Sequence, residues 1–139
     1  AAALKTIEVM EKEESWKVIT ELGKKIKKRW EEIFSFYEIK SDIWGISALP
    51  GFTLGDKFSL EYKTLITQEM LKEGYLSSNI VFISMAHNEK IIEQYNEKLK
   101  NIFKIIGECE SGRCIDNLLE TEVCHNKFKR LNYPQLKLF

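Results

Sequence analysis

The sequence lacks an excess charge of either sign. Lys plus Arg number 21 and Asp plus Glu number 21, so no overall positive field draws the chain to nucleic acid or anionic lipid. It also lacks long apolar runs: none approaches the ~20 residues that span a bilayer. The opening Ala1-Ala2-Ala3-Leu4 offers neither a basic n-region nor a cleavage signal, which predicts a cytoplasmic chain with no membrane partner. Cysteine is scarce. Three residues, Cys109, Cys114 and Cys124, all lie in the last 31 positions, and an odd count argues against a secreted disulfide framework. A zinc site would have to recruit His125. Cys109-x4-Cys114 followed by adjacent Cys124-His125 fits no common ligand spacing, so no metal is expected and the thiols are read as reduced and packed.

What is present suits one soluble globular domain: 139 residues, 44% hydrophobic and 30% charged, enough to bury well over half of the unfolded surface. Leu4, Ile7 and Met10 recur at helical spacing. Ser15 is a candidate N-cap for a second helix, whose stripe runs through Ile19, Leu22, Ile26, Trp30, Ile33 and Tyr37. Gly23 interrupts that stripe at a cost of about 1 kcal/mol against alanine, which marks it for close packing on a neighbouring element. The basic run Lys24–Arg29 has Glu21, Glu31 and Glu32 at pairing distance, so it reads as a solvated helix face rather than a nucleic-acid patch.

After Ser41-Asp42 the period changes. Residues 43–49 read as a strand broken by Pro50-Gly51, and Phe52-Thr53-Leu54 resumes extended character. Ser59 is a candidate cap for a helix burying Tyr62, Leu65, Ile66 and Met70 and stopping at Gly74. Ile80–Ile83 reads as a further short strand. Asn88 caps a last long helix with Ile91, Ile92, Tyr95, Leu99, Ile102, Phe103 and Ile106 on one face, ending at Gly107. The order α, β, β, α, β, α predicts an α+β fold, with helices on one face of a small, mostly antiparallel sheet. The expected core between the two later helices and the sheet is Leu65, Met70, Phe82, Ile83, Ile92, Tyr95, Leu99 and Phe103. Trp16, Trp30 and Trp44 are assigned to core or interface.

Four segments resemble, in order, the C-terminal small domain of class III (fold-type I) pyridoxal-phosphate aminotransferases, especially glutamate-1-semialdehyde aminomutase-like members. They are Ala2-Ala3-Leu4-Lys5-Thr6-Ile7-Glu8-Val9-Met10, Ala48-Leu49-Pro50-Gly51-Phe52, Met70-Leu71-Lys72-Glu73-Gly74, and Ser84-Met85-Ala86-His87-Asn88 through Ile91. The match covers about residues 1–106, leaving 107–139 as an extension packing on it. Val123–Asn132 is similar to the ending of some members, but Lys127 stands where they have glycine, and no role is carried over.

The resemblance implies a homodimeric transferase whose Schiff-base lysine and cofactor contacts sit in a preceding large domain of the same polypeptide. This chain would shape and close the cleft, hold no catalytic, cofactor-binding or metal residue, and bind no pyridoxal phosphate alone. Its cleft-facing candidates are Leu49, Pro50, Gly51, Phe52 and His87. A proline-glycine break re-aims strand side chains, with an ordinary bulge the equal alternative, whereas His87, next to a helix cap, reads first as a structural residue that fixes the chain's entry angle, with no local partner for a general base. An apolar docking face is expected at Leu49, Phe52 and part of the first helix. The alternatives are a free-standing non-catalytic α+β interaction module and a zinc-stabilised domain using the terminal cysteines.

Overall fold

The computed structural model describes residues 1–55 and 57–125. Four helices, α1 (Ala2–Glu13), α2 (Ser15–Phe36), α3 (Ser59–Lys72) and α4 (Glu89–Glu110), pack with a two-stranded antiparallel sheet of β1 (Ser41–Trp44) and β2 (Gly51–Leu54). The expected α+β class is the one observed. Helix α2 lies beside α4 in the same direction: Lys25 meets Glu89, Arg29 meets Glu97, and Tyr37 presses on Gly107. Helix α3 runs the opposite way along α4, with Tyr62 bonded to Glu110 and Glu73 to Lys98.

The sheet enters the core through one residue above all. Phe52 is fully buried and meets Trp30, Phe34 and Phe103 edge to face, with centroids 4.7, 5.4 and 5.6 Å away. That geometry aligns ring edges with π faces and adds to the burial energy. Around this cluster, Ile26, Leu65, Met70, Leu99 and Ile106 are also essentially inaccessible. Of the eight expected core residues seven are buried, and Phe82 is exposed instead. The run Ile80–Ile83 is apolar throughout, so its pattern did not say which side faces in. Ile83 does, and Phe82, its neighbour, must then point out.

Several element boundaries differ from the sequence reading, each for a local reason. Ser15 caps nothing. Glu14 takes the left-handed joint between α1 and α2 (φ 46°, ψ 40°), and Ser15 is turned inward with its Oγ unbonded. Phe58 holds the cap position of α3, and Ser59 makes no capping bond. The strand expected over 43–49 stops at Trp44. Gly45 turns the chain (φ 81°), Leu49 N–H closes a turn on the Ile46 carbonyl (2.9 Å), and the Ser47 carbonyl is drawn onto Gly23.

Ile80–Ile83 does not make a third regular strand: it is bridged to Gly51 at Ile80 and held by backbone bonds from Val81 and Ile83 to Pro50 and Ala48. Gly74 ends α3 in the left-handed region as expected (φ 83°). Gly107 does not end α4. It lies inside the helix, close against Tyr37, whose Cβ and carbonyl oxygen are each 3.2 Å from where a Cβ would be. The stop comes at Gly112, where Gly112 N–H bonds the Cys109 carbonyl and Arg113 N–H the Glu108 carbonyl, both at 3.0 Å.

The boundary expected after Ile106 therefore falls inside α4. Beyond that helix the chain does pack on α3: Gln68 bonds the Leu118 carbonyl (3.0 Å) and receives Glu120 N–H (2.7 Å), and Thr64 Oγ1 receives Cys124 N–H (2.9 Å). The remainder of the expected extension, with the Lys127 position, lies outside the described residues.

Candidate functional site

Covering one side of a sheet leaves the other side to be accounted for. Three bonds align Asn79–Ile83 antiparallel to Ala48–Phe52: Phe52 N–H to the Asn79 carbonyl (3.0 Å), Val81 N–H to Pro50 (3.0 Å) and Ile83 N–H to Ala48 (3.2 Å). Asn79 Nδ2 donates to the Phe52 carbonyl as well (2.8 Å), closing a two-bond clamp. In this register Phe82 stands opposite Leu49, and both fall on the side of Gly51 and Trp44, away from the aromatic cluster, with Phe82 also bordering a pocket against Tyr95 of α4.

The Trp44 ring lies flat over Gly51, its atoms 2.5–2.7 Å from where a Cβ would be, and its Nε1–H donates to Thr53 Oγ1 (3.0 Å). Only glycine admits the indole there. An outward sheet face is ordinarily polar, yet this one carries Trp44 (37% exposed) and Phe82 (74%), with Ile46 and Met85 exposed close by in sequence.

The five cleft candidates divide across this sheet. Leu49 is half-buried on the outer side. Pro50, Gly51 and Phe52 are buried, and Phe52 belongs to the inner aromatic cluster, so it cannot serve an open face. The expected docking patch is corrected accordingly: Trp44 and Phe82 take the place of Phe52. The signal was the two-residue parity of the strand, unusable until the inward residue was known. The remaining part of the expectation, the first helix, is exposed along its whole length. It buries nothing, and Leu4, Ile7 and Met10 line one of its sides.

His87 borders the same shallow pocket as Phe82, half-buried before the Asn88 cap, whose Oδ1 accepts Ile91 N–H at 3.0 Å. Its Nδ1 accepts Ser84 N–H (3.0 Å), and its own N–H bonds the Ser84 carbonyl (3.1 Å). The ring thus pins the turn leading into α4, and the hydrogen-bond pattern puts its proton on Nε2.

The basic run is largely engaged within the molecule. Lys24 pairs with Glu21 and Lys25 with Glu89, Arg29 with Glu32 and Glu97, and Lys27 Nζ donates to the Gly45 carbonyl. The hydrogen bond from Lys25 holds the Glu89 carboxyl below its ordinary range and raises the Lys25 ammonium in return.

Nothing among the described residues fits a pyridoxal-phosphate Schiff base. That chemistry needs a lysine in a desolvated pocket, and every described lysine is exposed or half-exposed. Cys109 is buried, which pushes its thiol pKa up, Cys114 is exposed, and Cys124 is half-buried with its Sγ 3.5 Å from the Leu60 carbonyl. Among the described residues no group of three His, Cys, Asp or Glu side chains is placed to hold a metal ion, and no helix is long and apolar enough to cross a membrane. Comparison with protein-family models, with curated proteins and with solved structures finds no match to this chain.

Proposed function

We propose that this chain is the small C-terminal domain of a class III, fold-type I pyridoxal-phosphate-dependent aminotransferase or aminomutase, of the glutamate-1-semialdehyde aminomutase-like type. In this reading it docks on the large domain of the same polypeptide and shapes and closes the active-site cleft of a cytoplasmic homodimer. The large domain supplies the lysine and the cofactor, which carries the amino-group chemistry; this domain supplies shape and exclusion of water.

The observation that carries the reading is the pair of apolar surfaces the domain does not cover itself: the outer sheet face at Trp44, Leu49 and Phe82, and the Leu4, Ile7 and Met10 side of α1. A helix of 12 residues is marginal in water on its own, and exposed apolar patches mark surfaces that meet a partner. The four sequence segments that resemble the family say which partner.

Borohydride reduction of the native polypeptide carrying this sequence, followed by peptide mapping, tests the proposal. It expects one pyridoxyl-lysine, N-terminal to Ala1 of this chain. A native polypeptide with no such lysine favours the free-standing interaction module. Stoichiometric labelling of one lysine within residues 1–139, with turnover of an amino donor, overturns the domain reading outright.

A further inference from the structure

The joint between the first two helices is strained and under-bonded. Glu14 alone separates α1 from α2 and is held left-handed, at φ 46° and ψ 40°. A residue with a Cβ occupies that region at a disadvantage of about 5- to 30-fold against the right-handed one. The bend also leaves helical bonds unmade. Glu14 N–H is shared between the Met10 and Glu11 carbonyls, and Lys17 N–H reaches the Glu14 carbonyl at 2.8 Å. Among the described residues, Ser15 and Trp16 N–H find no backbone partner across the joint.

The Ser15 side chain points the same way. It is buried, and its Oγ has no hydrogen-bond partner among the described residues, which is unfavourable for a hydroxyl. Other hydroxyls on or at the ends of helices here turn back to the carbonyl four residues earlier: Thr6 to Ala2 (3.1 Å), Thr64 to Leu60 (2.8 Å), Thr67 to Lys63 (3.0 Å) and Ser111 to Gly107 (3.0 Å). For Ser15 that carbonyl belongs to Glu11, on the far side of the joint, and the bond is not made. Little holds the bend in return. Helix α1 contributes no buried side chain, and the Lys17–Glu14 ion pair joins residues three apart, which an unbroken helix also brings together.

We propose that this joint is a two-position hinge. In the bent position Glu14 is left-handed. In the second it is right-handed, Ser15, Trp16 and Lys17 N–H bond the Glu11, Lys12 and Glu13 carbonyls, Ser15 Oγ reaches Glu11, and residues 2–36 form one unbroken helix. Leu22, Ile26, Trp30 and Ile33 stay in the core in both positions, so the change is confined to α1 and to the direction in which its Leu4, Ile7 and Met10 side faces. A partner that meets this side in one position only draws the population there. The hinge does not depend on the proposed enzyme assignment, and its test uses the 139-residue chain by itself.

The test is NMR of the isotope-labelled chain and of two variants, Glu14→Ala and Glu14→Gly. Contacts from the Lys12 α-proton to the Trp16 amide, and from the Glu13 α-proton to the Trp16 β-protons, exist only when the helix runs through the joint. They should be present in the parent and stronger in Glu14→Ala, which keeps the Cβ and is the better helix former. Glu14→Gly removes the left-handed penalty and weakens the helix, so it should shift the ratio toward the bend by at least about 20-fold and erase both contacts. Amide shifts of α4 should be alike in all three, because α1 buries nothing. Absence of both contacts from the parent and from Glu14→Ala overturns the hinge, because Glu14 is then fixed in the bend. Contacts of equal strength in all three chains overturn it as well, because the joint is then not set by Glu14.

Discussion

Replacing Gly23 by alanine should destabilise the domain, although helix propensity alone says the opposite. In an open helix the change would gain about 1 kcal/mol. Here a Cβ would lie 1.7 Å from the Ser47 carbonyl oxygen and 2.5 Å from its carbon. The obstacle is backbone and cannot rotate away, so the 45–49 segment would have to retreat by an ångström or more. That segment is tied to α2 by Lys27 Nζ on the Gly45 carbonyl and to the 79–83 segment by Ile83 N–H on Ala48.

Overpacking costs about 1–3 kcal/mol, occasionally more, and each bond broken in the retreat about 1. Set against the propensity gain, the expected net loss is about 2–3 kcal/mol. At roughly 4 °C per kcal/mol for a domain of this size, Tm should fall by roughly 8–12 °C. Urea melts should show a lower midpoint at unchanged slope. Gly107→Ala is the matched control. It is also helical, but its closest neighbours are at 3.2 Å, so a small adjustment and the propensity gain should leave stability within about 1 kcal/mol of the parent. Gly23→Ala as stable as the parent would refute the close approach of Ser47 to α2.

Three further outcomes are expected. Leu99→Ala removes a fully buried side chain at the junction of the helices and should cost ~2–5 kcal/mol in denaturant melts; a loss under about 0.5 would contradict the packing. Burial, reinforced by its bond to the Glu110 carboxylate at 2.6 Å, raises the Tyr62 pKa. Its contribution is therefore whole below the unfolded value near 10 and is lost as pH rises beyond it, so Tyr62→Phe should flatten the alkaline limb of a stability–pH profile. Glu89 shifts the other way: its carboxyl is lowered by Lys25, so its contribution is present above the unfolded value near 4.3 and fades as pH falls through the folded one. Glu89→Gln should blunt the acid limb, most visibly at low salt.

Long, strongly periodic stretches carried their structure in the sequence. The stripes of α2 and α4, the Asn88 cap and the Gly74 stop are local, and local spacing is enough to place them. The packing role of Gly23 was also legible, because a glycine inside an apolar stripe needs a neighbour to justify it. The features that could not be read depend on contacts between distant segments. Gly107 carries a stop signal in composition, yet the helix runs on through it to Glu110 with Tyr37 packed against it. The 45–49 segment has strand-forming side chains, but the attraction to α2 bends it away from β2. Phe52 and Phe82 look alike in sequence, and the pairing register sends one into the aromatic cluster and the other to the surface.

The joint at Glu14 has a mechanical consequence. Helix α1 is a lever about 18 Å long, and one residue joins it to α2. A rotation of about 10° there swings its far end by roughly 3 Å, with no buried side chain of α1 to resist. A non-glycine residue held left-handed costs about 1–2 kcal/mol. Whatever seats itself against Leu4, Ile7 and Met10 therefore also sets the angle between α1 and the rest of the fold.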